Sequence, residues 1–434
     1  MAANRNIVFA VWGSLGDLHP FIAVALKLKQ QGFEPAIASV TEYRAKVEAE
    51  GIRFHEVRPA FSELERAFGE SLAQITHRVI ARPDLLYRRL IFPFLRQSYE
   101  DMLAASSNSA MLVTSSVCIA ARLAAERRGM AWIAAVLQPM MFMSAYDPPA
   151  LLPGAWLSPL LRRVGPGAAA LVLGAAKALV GRLANPVHQF RQEIGLPAMR
   201  RDPVFAGQFS HGGALAMYSP LLGAVQPDFP PRTALTGFAF YDSERGGEAA
   251  IDPALQHFVA AGHAPIVFTL GSSMVRDPGT FYRESLGAAR ALQRRAVLLL
   301  GESVPPHLEE MRCADVHVCA YAPYSWLFPQ CAAVVHQGGV GTLAQAMRAG
   351  RAQLIVPFFA DQADNAARAV RLGVAATITR SRYTAARVVR ELAALLADRP
   401  CATRSLAIRD RIALEDGAAA AARVLADRLH AAAG

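Results

Sequence analysis

Residues 334–350 read VVHQGGVGTLAQAMRAG: an apolar run ending on a histidine, glycines at 338, 339 and 341, then apolar residues at helical spacing. A strand-to-helix turn needs one glycine at most, and each glycine inside a helix costs roughly 0.5–1 kcal/mol relative to alanine. Gly338, Gly339 and Gly341 together imply a ligand that touches the backbone. At a helix start the unpaired N–H groups and the helix dipole favour an anion, so phosphate is the expected guest. His336 and the Thr342 hydroxyl are placed to add hydrogen bonds to it. The stretch is neither a P-loop, which needs a Lys-Ser/Thr end, nor a dinucleotide GxGxxG.

On either side of this stretch, short β-branched runs alternate with helical ones, the pattern of βαβ units and parallel sheets. Strands are expected at 6–12, 35–40, 111–116 and 131–137, and again at 265–273, from 296, and at 316–323, 332–339, 352–361 and 375–379. A chain of 434 residues is too long for one ordinary core. The expected fold class is α/β, with two Rossmann-like domains facing each other across a cleft. Residues 1–220 would form the first domain, the Pro-, Gly- and charge-rich stretch 221–264 the linker region, and 265–434 the second domain. In open parallel sheets ligands gather at the C-terminal ends of the strands. The loops to inspect are therefore 12–20, 136–141, 270–274, 320–325, 336–342 and 358–365.

Two of these loops carry further chemistry. "DQADN" places Asp361 and Gln362 at a strand end with Asn365 one helical turn later, a set suited to sugar hydroxyls and to reaching back toward phosphate, although Asp361 as a helix N-cap explains it equally well. In "GSLGDLHP" (13–20) Asp17 is either an N-cap or a general base, since a carboxylate facing an apolar site has its pKa raised toward neutrality. His19 ranks second for that role. With no D-x-D anywhere, a carboxylate-bound metal is not implied, and the protein itself must neutralise a leaving phosphate.

Composition narrows the class. Hydrophobic residues make up 53% and charged residues 18%, as in a well-packed globular chain. Five cysteines without CxxC or metal-ligand spacing suit reduced thiols in a cytoplasmic protein, and no leader precedes the first strand. The uncharged run 164–176 falls short of a membrane span. The net charge of +10 comes from scattered arginines, with a modest cluster at 77–96. No nucleic-acid motif accompanies them, so a solvated face, contact with an anionic substrate, or peripheral contact with the inner face of a membrane are the readings left.

Taken together, "GSLGDLHPF", "FTLGSS", the stretch 320–350 and "QLIVPFFADQADNAARAVRLG" resemble the family 1 glycosyltransferases of GT-B fold, most of all over 265–375. Within them the similarity runs to bacterial rhamnosyltransferases of rhamnolipid synthesis and to antibiotic and sterol glycosyltransferases. The resemblance implies inverting, metal-independent transfer from a nucleoside diphosphate sugar, which is a substrate, with no resident cofactor. It implies that His336, Gly339, Val340, Gly341 and Thr342 hold the diphosphate. Asp361 and Gln362 would read sugar hydroxyls, with Asn365 a further donor contact; Ser272 and Ser273 would face the donor, Tyr321 and Ala322 would lie in the base-binding stretch, and Asp17 would be the base. Tyr321 and Tyr324 stand where plant relatives carry Trp and Gln, and Ala360 where relatives often carry Gly or His.

The region of about 60–200 is apolar and in places Met-rich, which suits core packing or a greasy acceptor pocket. Joined to the basic cluster it points to a hydrophobic, anionic lipid acceptor. The leading expectation is rhamnose transfer from its dTDP form to a hydroxy-fatty-acyl lipid. The alternatives are transfer of a UDP- or dTDP-sugar to a sterol, carotenoid or polyketide, a nucleoside-diphosphate-sugar epimerase, and a non-catalytic sugar-nucleotide binder.

Overall fold

A computed structural model describes residues 4–151, 154–199, 202–243, 251–301 and 312–433. The chain divides into two compact α/β units, one built mainly from residues 1–241 and 416–434, the other mainly from 248–415. Each is Rossmann-like, with an all-parallel sheet.

In the first unit seven strands lie in the order β3-β2-β1-β4-β5-β6-β7. They are β1 (Asn6–Ala10), β2 (Glu34–Ser39), β3 (Arg53–Glu56), β4 (Met111–Ser115), β5 (Ala131–Val136), β6 (Ala214–Ala216) and β7 (Ala234–Leu235). Phe9 on β1 sits opposite Ile37 and Val113, fixing the central register. Ile7–Ala10 and Met111–Ser115 are buried throughout, which is why these runs are continuously apolar and do not alternate.

The second sheet has the order β10-β9-β8-β11-β12-β13, from β8 (Ile266–Thr269), β9 (Ala296–Leu299), β10 (Val316–Cys319), β11 (Ala333–His336), β12 (Ala352–Ile355) and β13 (Ala375–Thr377). In each sheet the chain runs outward to one side and then crosses to the other. The direction reverses between β1 and β4 in the first unit and between β8 and β11 in the second, the positions where such sheets open a crevice for ligands.

The structure differs from the sequence reading in several places. The strands expected over 265–273, 316–323 and 332–339 end at Thr269, Cys319 and His336, and Gly271–Met274 is a short helix. The strand expected over 352–361 ends at Ile355, because the Phe358 and Phe359 N–H groups bond to the Gln362 side chain and not to a neighbouring strand. β3, β6 and β7 were not anticipated: β3 is an edge strand with one apolar residue in RFHE, and the other two are only three and two residues long. Finally, the helix Gly417–Ala433 belongs with the first unit and not the second. It packs on the helix Leu15–Gln30, with Ala421, Ala422 and Leu425 fully buried and Lys27 paired with Asp416 at 3.3 Å. The end of the strand expected from 296, beyond residue 301, lies outside the described residues.

Candidate functional site

The stretch 334–350 forms β11, a glycine turn and the helix Val340–Arg348, at the switch point of the second sheet. His336 is fully buried, and both its ring nitrogens have protein partners. The Gly338 N–H donates to Nδ1 at 3.0 Å, so Nδ1 is unprotonated, and Nε2–H donates to Gln353 Oε1 on β12 at 2.9 Å. Burial lowers its pKa to about 4 against the opposing pull of Gln353, so the ring is neutral. The expected hydrogen bond from His336 to a phosphate is therefore not available in this arrangement. Its evident work is to hold Gly338 at φ +93°, where an added Cβ would meet Ile355 Cγ2 at 2.8 Å and Gln362 O at 3.0 Å.

That neutral buried ring has a pH consequence. A His with pKa about 4 in the fold and 6.5 unfolded takes up its proton only on unfolding, so its stability contribution is full above pH 6.5 and is lost as pH falls toward 4. Between pH 7 and 5 the second unit should lose about 2 kcal/mol through this residue. Urea unfolding at the two pH values, compared with His336→Gln, measures it; an equal pH dependence in the variant would assign the loss elsewhere.

Gly339 and Gly341 differ from Gly338. A Cβ on Gly339 would meet Gln337 Nε2 at 2.8 Å, whereas one on Gly341 would meet nothing within 4 Å. Gly341 lies exposed in the first turn, with Thr342 buried behind it. Opposite stands Gly271 at φ +62°, opening the short helix Gly271–Met274 that carries half-buried Ser272 and Ser273. A Cβ on Gly271 would lie 2.4 Å from Gln337 Nε2 and 3.5 Å from Thr342 Oγ1, so the two loops meet here, backbone to side chain.

The loop after β12 is tied to the same turn. Asn365 Nδ2 donates to Gly338 O at 3.0 Å and to Asp361 Oδ2 at 2.6 Å. This fixes the amide orientation and leaves Asn365 Oδ1 buried without a partner among the described residues. Asn365 thus braces the turn, and what it has left to offer is an acceptor, which suits a hydroxyl and not a phosphate. Asp361 holds the N-cap position of the helix Gln362–Arg371, but its side chain makes no cap bond; its carboxylate is bonded by Asn365. Gln362 Oε1 accepts from Phe358 and Phe359 N–H at 2.8 and 3.0 Å, leaving its Nε2 for other partners. Ala360, just before them, sits at φ +53°, a conformation costing a side-chain-bearing residue about 1–2 kcal/mol.

Tyr321 and Ala322 follow β10, which β9 and β8 separate from β11. Ala322 is buried in the core with Leu327, Phe328 and Val334, so only its backbone is available to a ligand. Sequence reasoning missed Gln337 and Gln353, whose Oε1 and Nε2 respectively are buried without partners among the described residues. A glutamine inside the apolar strand AQLI was the available signal for the second.

In the first unit Ser14, not Asp17, is the N-cap of Leu15–Gln30. Asp17 Oδ2 accepts from Ser14 N–H at 2.7 Å and Ser14 Oγ at 3.0 Å, and lies against Gly13, whose φ of +142° admits no side chain there. Burial raises the Asp17 pKa against the lowering effect of both Ser14 bonds. His19 is held neutral, its pKa lowered to about 3 by burial and by the charge of Lys46; its ring meets Tyr241 edge-on at 5.0 Å. So weak a base is a poor rival to Asp17.

Beside this loop a narrow apolar pocket is lined by Trp12, Leu90, Ile91, Leu95, Met102 and Cys118, among others. The Cys118 thiol lies close enough to Asp17 to feel its charge. One helical turn further, Arg122 is 3% exposed, and none of its three guanidinium nitrogens has a partner among the described residues. Burial lowers its pKa to about 10, so it stays charged. No sequence pattern flags it, since an arginine in AARLAAERR reads as a solvated face.

Comparisons with known proteins fall on both units. Residues 7–136 match the glycosyltransferase family 28 N-terminal domain, and residues 283–426 the erythromycin biosynthesis protein CIII-like C-terminal domain. A sterol 3-beta-glucosyltransferase of Gibberella zeae is 28% identical over 386 residues, 86% of this chain and 26% of that protein. An O-mycaminosyltylonolide 6-deoxyallosyltransferase of Streptomyces fradiae is 32% identical over 233 residues, 53% of each. The chain spans about a quarter of the sterol enzyme and about half of the deoxyallosyltransferase. Among solved structures, a spinosyn rhamnosyltransferase complexed with thymidine diphosphate superposes with a TM-score of 0.64 at 16% identity, covering 97% of this chain and 99% of that one. The two family models and the fold together make the chain similar to glycosyltransferases of GT-B fold. They relate it to antibiotic and sterol glycosyltransferases, and nothing in them points to rhamnolipid synthesis.

Proposed function

We propose that the protein transfers a sugar from a dTDP- or UDP-sugar to a hydroxyl of a bulky apolar acceptor of the sterol or polyketide kind, by a single inverting displacement. One observation carries the donor half: Gly341 keeps the first turn of its helix open where no protein atom requires a glycine. The helix start at Gly339–Thr342 takes the leaving diphosphate, Asp361 and Gln362 read sugar hydroxyls, and Ser272 and Ser273 face the donor. Asp17 removes the acceptor proton. The acceptor class is supported by the relatives' names, its apolar character by the lining of the pocket beside Asp17, and the donor nucleobase by the thymidine diphosphate of the structural neighbour.

A second reading, rhamnose transfer to a hydroxy-fatty-acyl acid, draws on the unpartnered Arg122 guanidinium. A buried arginine whose guanidinium makes no hydrogen bond is costly, and an acceptor carboxylate would relieve it. A panel crossing dTDP-rhamnose and UDP-glucose with a sterol, a macrolide aglycone, a hydroxy fatty acid and its methyl ester separates the two. Transfer to sterol or macrolide supports the first reading; transfer to the acid but not the ester supports the second. Donor epimerised without acceptor would overturn both. Among the described residues no group of three or more His, Cys, Asp or Glu is placed to hold a metal, and the proposed reaction should proceed unchanged in EDTA. Activity abolished by EDTA and restored by Mg²⁺ would reject the metal-free mechanism.

A further inference from the structure

Six of the eleven exposed large apolar side chains among the described residues cluster in one place, and the other five are scattered. Trp156, Leu160, Val164, Leu171, Val172 and Leu179 all lie on two packed helices, Leu157–Val164 and Pro166–Leu183, or immediately before them. Leu171 is 77% exposed and Trp156 70%. At 100° per residue, Ala169, Leu173 and Lys177 share one face of the longer helix. Ala169 and Leu173 are buried, and Lys177 Nζ donates to Met143 O at 3.2 Å. Leu171, Val172, Ala175 and Leu179 share the opposite face, and all four are exposed.

By length and composition the helix Pro166–Leu183 is apolar enough to cross a membrane. The buried positions along it and the burial of Ala184 and Val187 just after it fasten it lengthwise to the first unit, which a spanning helix could not be. Charge names the occupant of its outer face. Between Asp147 and Glu193 the sequence contains no acidic residue, while Arg163 and Arg182 are exposed at the ends of the two helices. Arg162 is turned inward onto Asp147. An apolar face rimmed by unopposed cations fits an anionic bilayer. The basic cluster at 77–96 is partly neutralised, with Arg78 and Arg96 each paired with a carboxylate and Arg82 and Arg88 sharing Asp84, and it carries no comparable exposed apolar face.

We infer that the helix pair 157–183 docks the protein onto the surface of an anionic membrane, its outer face entering the headgroup boundary. This stands whatever sugar and acceptor the enzyme uses. The test is flotation with vesicles of phosphatidylglycerol and phosphatidylcholine in low salt, without donor or acceptor. The wild type should float with vesicles containing phosphatidylglycerol. The Leu171→Glu, Leu179→Glu double variant should lose partitioning by on the order of tenfold or more, as should Arg163→Glu, Arg182→Glu, with thermal unfolding unchanged because all four positions are exposed. Failure of the wild type to float would overturn the proposal. So would flotation of the leucine variant at the wild-type level, or sedimentation showing a wild-type dimer that the leucine variant abolishes, since the face would then serve a second copy of the chain.

Discussion

Asp17→Asn is expected to lower kcat by about a hundredfold to ten-thousandfold, the range lost with a positioned general base. The substitution is gentle on structure. Asn Oδ1 can accept from the Ser14 N–H and Oγ–H as Asp17 Oδ2 does at 2.7 and 3.0 Å, so the start of Leu15–Gln30 stays formed. Nucleotide affinity should hold, because the glycine turn belongs to the other unit. The wild-type pH profile adds an independent check. Burial raises the Asp17 pKa, so the base remains protonated at pH values where an exposed aspartate would be ionised. Activity should rise with pH through that raised value, and the variant should lack this acid limb. Near-normal turnover in Asp17→Asn would leave the carboxylate a partner for Ser14 and no more.

How much of this was written in the sequence depends on whether a residue's role is local. The parallel sheets were legible because strands such as NIVFA and AVVH are buried on both faces and so read as unbroken apolar runs. The glycine turn was legible because three glycines at one strand-to-helix junction exceed what a turn needs, although only Gly341 proves to have no local requirement. The role of His336 was not, since its partner Gln353 arrives from a different strand and the tautomer follows from a backbone N–H. The same holds for Asn365, which reads as a donor contact until Gly338 O and Asp361 are seen to occupy its amide nitrogen. Arg122 is the limiting case. Helical spacing gave it a surface, and only packing across the first unit reveals that it is buried.

Gly341→Ala should separate stability from binding, and in opposite directions. In the protein alone a methyl group at 341 meets nothing within 4 Å, and the residue has no left-handed φ to strain it. Replacing a helical glycine by alanine should then raise the stability of the second unit by roughly 0.5–1 kcal/mol. Were the glycine there only for the fold, nothing would be lost. If the open first turn is where the diphosphate rests, the same methyl group stands between the ligand and the N–H groups of Gly341 and Thr342, lengthening hydrogen bonds to a charged group worth about 1.5–3 kcal/mol each. Loss of one such bond corresponds to roughly a tenfold to hundredfold weaker affinity for dTDP or UDP. Calorimetric titration alongside urea unfolding reads both quantities on one sample. A variant that is more stable and binds as tightly as the wild type would move the diphosphate away from the helix start. A more stable variant that binds poorly would locate it against Gly341.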